Sequence, residues 1–116
     1  MRPASSKAKG RRFQQYIRDL LLKAADTLEE DDIRSTSMGA PGEDIQLSPA
    51  ARKVYPYAIE CKAVEKLNIW EAIRQAKENA RKYIPVVCFK RNNHEAWIAM
   101  PLKEYMEKVH GYSEDS

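Results

Sequence analysis

Three side chains in this chain of 116 residues are of types that can do chemistry together: Asp44, Glu60 and Lys62. In an extended strand successive side chains alternate, so Glu60 and Lys62 share one face while Ile59 and Cys61 take the other. That stretch is otherwise apolar from Tyr57 to Cys61. Upstream, Ile45 and Leu47 alternate with Asp44, Gln46 and Ser48, which puts the Asp44 carboxylate on the polar side of a second strand. If the two strands pair, Asp44 approaches Glu60. Converging carboxylates repel unless a cation lies between them. Hard oxygen donors of this kind select Mg²⁺, with Mn²⁺ as a substitute. Such an ion acidifies a bound water and stabilises charge growing on a phosphate, and Lys62 adds a compact positive charge. Those are the requirements of phosphodiester hydrolysis. Spacing by itself favours a plainer alternative, in which Glu60 and Lys62 form a surface pair and Asp44 is a turn residue.

The elements that must hold these residues are legible from periodicity. Phe13, Tyr16, Ile17, Leu20, Leu21, Ala24 and Leu28 recur at helical spacing, predicting an amphipathic helix over 10–30. A short strand over 33–36 and a turn-rich segment with Gly39, Pro41 and Gly42 precede the strand over 44–48. A loop containing Pro49, Arg52 and Lys53 leads to the strand over 55–62, and the two strands read as an antiparallel hairpin with a long connection. Ile69, Ile73, Ala76, Ala80 and Tyr83 mark a helix over 69–83. The apolar strand 86–89 follows Pro85, Asn92-Asn93 turns the chain into a strand over 96–100, and Pro101 opens a helix through 109. The fold class expected is α/β: a mixed central β-sheet flanked by helices in one domain.

Composition narrows the function classes. Apolar residues make up 43% and charged residues 32%, an ordinary folded balance. No apolar run approaches the ~20 residues that cross a bilayer, and no signal-peptide pattern opens the chain, so a cytoplasmic protein is expected. Cys61 and Cys88 lie in β-prone apolar stretches and read as two buried thiols, and no zinc-ligand spacing is present. The net charge is +3, and six basic residues precede the first acid, Asp19. A basic N-terminal end is an electrostatic footprint for nucleic acid, or simply a solvated tail. The expected organisation is a flexible basic arm over 1–9, a single domain over 10–110 and an acidic tail over 111–116.

The residues around the carboxylates carry a further signal. Lys9-Gly10 before an amphipathic helix, Arg34-Ser35 before a small-residue loop, Gly42-Glu43-Asp44-Ile45, Ile59-Glu60-Cys61-Lys62 and Pro85-Val86-Val87-Cys88-Phe89-Lys90 occur in that order. In this the chain resembles the archaeal-type (also phage) Holliday junction resolvases of the PD-(D/E)XK nuclease superfamily, over roughly residues 7–103. The resemblance implies a restriction-endonuclease-like αβββαβ core and a homodimer acting on branched DNA with Mg²⁺. It implies that Asp44 and Glu60 bind metal with the Cys61 backbone carbonyl as a further ligand, and that Lys62 is catalytic. It implies DNA contacts from Lys9, Arg11, Arg12, Arg34, Ser35 and Lys90. One position departs: where the family carries a glutamate on the first helix, this chain has Gln14, a neutral amide that can hold a metal-bound water but cannot act as a base.

Other residues have plainer readings. Glu43 points away from Asp44 along a strand and is second choice for the metal. Gln75 reads as a solvated helix position, with a place facing the centre as the alternative. Trp70 and Trp97 read as core or rim aromatics, with DNA stacking or a dimer contact as the alternative, and His94 as an exposed turn residue, with a general base as its alternative. The rivals to junction resolution are a flap or duplex nuclease similar to the VRR-Nuc group, a catalytically silent DNA-binding module, and a small interaction protein with a basic arm.

Overall fold

Phe13 and Ile17, four residues apart on one helix, bury against Ile59 and Cys61 of a strand and so fix the main layer contact of the molecule. The computed structural model describes residues 6–37 and 39–113. Its helices are α1 (Ser6–Lys23), α2 (Pro49–Val54), α3 (Ile69–Ala80) and α4 (Leu102–His110). Its strands are β1 (Ile33–Ser35), β2 (Ile45–Leu47), β3 (Tyr57–Ala63), β4 (Ile84–Lys90) and β5 (Trp97–Ala99). The architecture is mixed α/β, and α1-β1-β2-β3-α3-β4 follow one another in the expected order.

Four of the differences from expectation bear on how the layers are built; in addition α3 stops at Ala80 instead of residue 83, and β4 begins at Ile84 and takes in Pro85. First, α1 takes in residues 6–9 of the supposed arm and stops at Lys23 instead of running to residue 30. Beyond Lys23 the chain doubles back: the Arg18 guanidinium donates to the carbonyls of Glu30 and Ile33, each at 2.8 Å. Ala25 and Leu28 reach the core through that fold-back, which helical periodicity cannot distinguish from a continued helix. Residues 1–5 of the arm and 114–116 of the tail lie outside the described residues.

Second, the segment expected as a loop after Pro49 is the short helix α2. Its start signals are present: the Ser48 hydroxyl accepts from the Ala51 N–H at 3.1 Å, and Pro49 opens the first turn. Third, β2 and β3 do not form a hairpin, because α2 carries the chain away between them. β2 pairs antiparallel with β1 in the register Ile33↔Leu47, and β3 pairs parallel with β4 in the register Glu60↔Val87. A parallel pair needs a crossover, and α3 supplies it. β5 then adds antiparallel to β4. The strands therefore form two ladders, β1-β2 and β3-β4-β5. The Asp44 N–H, donating to the Ile59 carbonyl at 3.0 Å, stitches them.

Fourth, the fully buried face of α3 is Ala72, Ala76 and Ala80, with Ile69 and Ile73 only partly covered. Small side chains bring this helix close to Val87 on one face of the sheet. α1 covers the other face. Cys61 and Cys88 are buried free thiols, as expected, and burial raises both pKa values, that of Cys88 to about 11. Trp70 and Trp97 are 77% and 60% exposed and belong to no core. Among the described residues no helix is long and apolar enough to cross a membrane.

Candidate active site

Asp44 sits where the two ladders meet, immediately before β2. Its carbonyl accepts from the Thr36 N–H at 2.8 Å while its own N–H goes to Ile59. With its main chain clamped on both sides, the side chain turns toward β3, and Oδ2 accepts the Cys61 N–H at 2.7 Å. The proximity of Asp44 to β3 thus arises without a hairpin. Glu60, in the middle of β3, is 5% exposed, and its Oε1 accepts from the Asn79 amide of α3 at 2.6 Å.

The two carboxylates feel each other. Burial pushes the Glu60 pKa up to about 7, and the neighbouring Asp44 charge adds to the shift, against opposing pulls from the Asn79 amide and Lys62. A buried carboxylate that holds its proton to neutral pH in the absence of a cation is a site suited to receive one.

Gln14 is the third feature. It is 4% exposed, and among the described residues its Oε1 has no hydrogen-bond partner. A buried acceptor left unmade costs about 1–3 kcal/mol, and a hydrated cation in the cleft would satisfy it. Gln14, Asp44, Glu60, Cys61 and Lys62 line one cleft of about 460 Å³, together with residues 39–42 and Gln75, Glu78 and Asn79 of α3. All four side chains expected to act, and the backbone of Cys61, are therefore brought together. The Cys61 thiol packs in the core on the opposite face.

The donor set fits a small, hard divalent cation that takes one or two carboxylates and keeps several waters. No group of three or more His, Cys, Asp or Glu side chains gathers among the described residues. A cation held by Asp44 and Glu60 alone would need neutral oxygens to complete its shell.

Glu43 does not enter this cleft. Its carboxylate is 9% exposed and paired with Arg52 at 2.8 Å, with the more exposed Arg81 at 3.6 Å. Arg52 also donates to the Tyr57 carbonyl and stacks over the Tyr83 ring at 3.9 Å. This network ties the residues before β2 to α2 and the start of β3, so Glu43 braces the site.

Five of the six expected DNA contacts sort into two neighbouring clefts. Lys9 and Arg12 of α1 meet Lys90 at the end of β4 in a cleft of about 430 Å³, with Tyr16, Asn92 and His94. Arg11 and Ser35 line another of about 460 Å³ with Lys7, Gln15 and Thr36. There Gln15 donates to the Ser35 hydroxyl at 3.0 Å. Arg34 joins neither; it pairs with Asp31 at 3.1 Å on an exposed edge. The segment between β1 and β2 borders the Asp44–Glu60 cleft with residues 39–42 and the Arg11 cleft with residues 36–37.

Asn79 was not anticipated from sequence. Its one signal is position: Gln75, Glu78 and Asn79 flank the alanine stripe of α3 at helical spacing, so they follow that helix onto the sheet.

No family model, curated protein or solved structure matches this chain.

Proposed function

We propose that this chain is a Mg²⁺-dependent endodeoxyribonuclease that acts on branched DNA as a homodimer, resolving four-way junctions by paired nicks in the cytoplasm. The observation that supports it most is the convergence of Asp44, Glu60, Lys62 and the unpaired Gln14 oxygen on one cleft. Asp44 and Glu60 would hold the metal, with the Cys61 carbonyl as a further donor. A metal held there would supply an acidified water and charge stabilisation.

The chain's own groups divide the remaining work. The Cys61 N–H fixes one oxygen of Asp44, and the Asn79 amide fixes one oxygen of Glu60. Lys62 offsets the negative charge that grows on the phosphate as the water oxygen bonds to phosphorus and the bridging oxygen leaves. Gln14 accepts from an attacking or coordinated water and orients it without removing its proton. Lys9, Arg11, Arg12 and Lys90 hold the DNA by its phosphates, contacts that position without reading sequence.

The deciding experiment compares a labelled four-way junction with its linear duplex in Mg²⁺, using wild type and Lys62→Ala. Symmetric nicks in the junction by wild type alone are expected. Equal cutting of both DNAs would replace junction preference with a flap or duplex nuclease. The amide at position 14 favours one second reading, a silent DNA-binding module. Salt-sensitive junction binding without cleavage in Mg²⁺ or Mn²⁺ would select it.

A further inference from the structure

A cleft of about 640 Å³ opens at the turn between β4 and β5, larger than the clefts around Asp44, Arg11 and Lys9. It falls inside the ~300–1,000 Å³ span of small-molecule sites and shares no lining residue with the Asp44–Glu60 cleft. Val64, Leu67 and Phe89 give it an apolar floor, and Trp97 of β5 stands opposite Phe89 in the strand register. Residues directly opposite one another share a face of the sheet, so the indole and the Phe89 ring lie on the same side. The indole is 60% exposed, and no ring or cation among the described residues stacks on it. The turn beside it is tied down. The Asn92 N–H donates to the Glu65 carboxylate at 3.1 Å and the His94 N–H to the Arg91 carbonyl at 3.2 Å, while Asn93 adopts a left-handed φ of 62°. The cleft is thus formed before anything enters it.

Charge divides this cleft from its neighbour. The cleft of Lys9, Arg12 and Tyr16 shares Lys90, His94 and Glu95 with it, so the two adjoin across the turn. The neighbouring side holds the cations Lys9, Arg12 and Lys90 against the single carboxylate of Glu95. The Trp97 side holds Lys90 and Arg91 against Glu65 and Glu95, an even balance over an apolar floor. A phosphate is drawn to the first and gains little in the second, whereas an uncharged planar ring suits the second. A chain of alternating phosphates and flat rings matches both at once. Basic grooves beside aromatic platforms are how single strands are held without reading sequence.

We infer that the Trp97 cleft takes one unpaired nucleobase of a DNA strand whose adjoining phosphate lies between Lys9, Arg12 and Lys90. A base inside an intact duplex has both faces covered and must first leave the stack. A strand end, a flap or an opened branch point offers one without that cost, so the cleft selects such DNA. The inference rests on the DNA reading above and adds a substrate feature to it, but it does not depend on cleavage. Strand binding at Trp97 without cleavage would keep it and lose the nuclease. Junction cleavage with no strand at Trp97 would do the reverse.

The test uses the full chain carrying Trp70→Phe, which leaves Trp97 as the sole tryptophan, titrated in chelator with a short oligothymidylate. Saturable quenching of the Trp97 fluorescence by the strand is expected, and none by its fully paired duplex. In the otherwise wild-type chain, Trp97→Ala should weaken binding of the labelled strand about 5–150-fold, the span of one base stack. Trp97→Phe should retain most of the affinity, and neither variant should alter duplex binding, with circular dichroism verifying the fold. Strand binding without quenching would overturn the inference, as would equal weakening of strand and duplex by Trp97→Ala. Absence of strand binding would overturn it whether or not the junction is cut. Equal quenching by thymidine monophosphate at the same concentration would also overturn it, assigning the cleft to free nucleotides.

Discussion

Glu60→Gln should stabilise the metal-free protein at alkaline pH while abolishing its response to Mg²⁺. Burial and the Asp44 charge hold the Glu60 proton to about 7, against an ordinary 4.5. The folded state therefore binds this proton more tightly than the unfolded chain, and stability falls as pH rises from about 4.5 through 7. At about 1.4 kcal/mol per pH unit, the loss above pH 7 amounts to at most about 3 kcal/mol. Glutamine avoids it: its oxygen can still accept from Asn79, and its amide can donate to Asp44 in place of the repulsion. A gain of that size in a domain of this length raises the melting temperature by on the order of 10 °C.

The assay is thermal melting of both proteins in chelator at pH 5 and pH 8, repeated with Mg²⁺. The variant should melt higher at pH 8 in chelator, and the gap should close toward pH 5. Saturating Mg²⁺ at about a hundred times its dissociation constant should add about 2.7 kcal/mol to wild type and little to the variant. A variant that melts at or below wild type at pH 8 in chelator would refute the account of Glu60 as a strained, cation-seeking carboxylate.

Arg52→Ala should cost about 3 kcal/mol or more in urea unfolding, because it leaves the buried Glu43 carboxylate facing only the exposed Arg81. Arg81 itself occupies a turn conformation (φ 52°, ψ −117°) that favours glycine; Arg81→Gly should stabilise by about 1 kcal/mol in the same measurement, since its largely exposed guanidinium stands 3.6 Å from Glu43, which keeps Arg52 as its close partner. Alanine at Lys9, Arg12 or Lys90 should each lower the slope of log binding constant against log salt by about 1 for junction DNA, without altering sequence preference.

Much of the site was legible because strand alternation acts locally. Glu60 and Lys62 needed only the period of β3 to be placed on one face, and the apolar run around them established the strand. The partner of β2 was not legible. Whether residues 44–48 pair with 33–36 or with 55–62 depends on what the intervening segment does, and α2 has too few turns to show periodicity, although Ser48 and Pro49 mark its start. Asp44 reached Glu60 through main-chain bonds to Thr36 and Ile59 that no side-chain pattern announces. Asn79 and the Glu43–Arg52 pair escaped for the same reason: each is defined by a partner distant in sequence. The exposure of Trp70 and Trp97 was equally out of reach, since an aromatic on an amphipathic segment does not show whether its face is covered.

The position of Asp44 has a mechanical consequence. Its N–H is the single main-chain bond found between the β1-β2 and β3-β4-β5 ladders among the described residues, and its carboxylate reinforces the same seam through Cys61. The residue that supplies one carboxylate of the candidate centre is thus also the splice of a beam made in two lengths. A force that opens the seam, such as DNA levering α1 and β1 away from β3, separates the two carboxylates at the same stroke. The centre is whole only while the beam is.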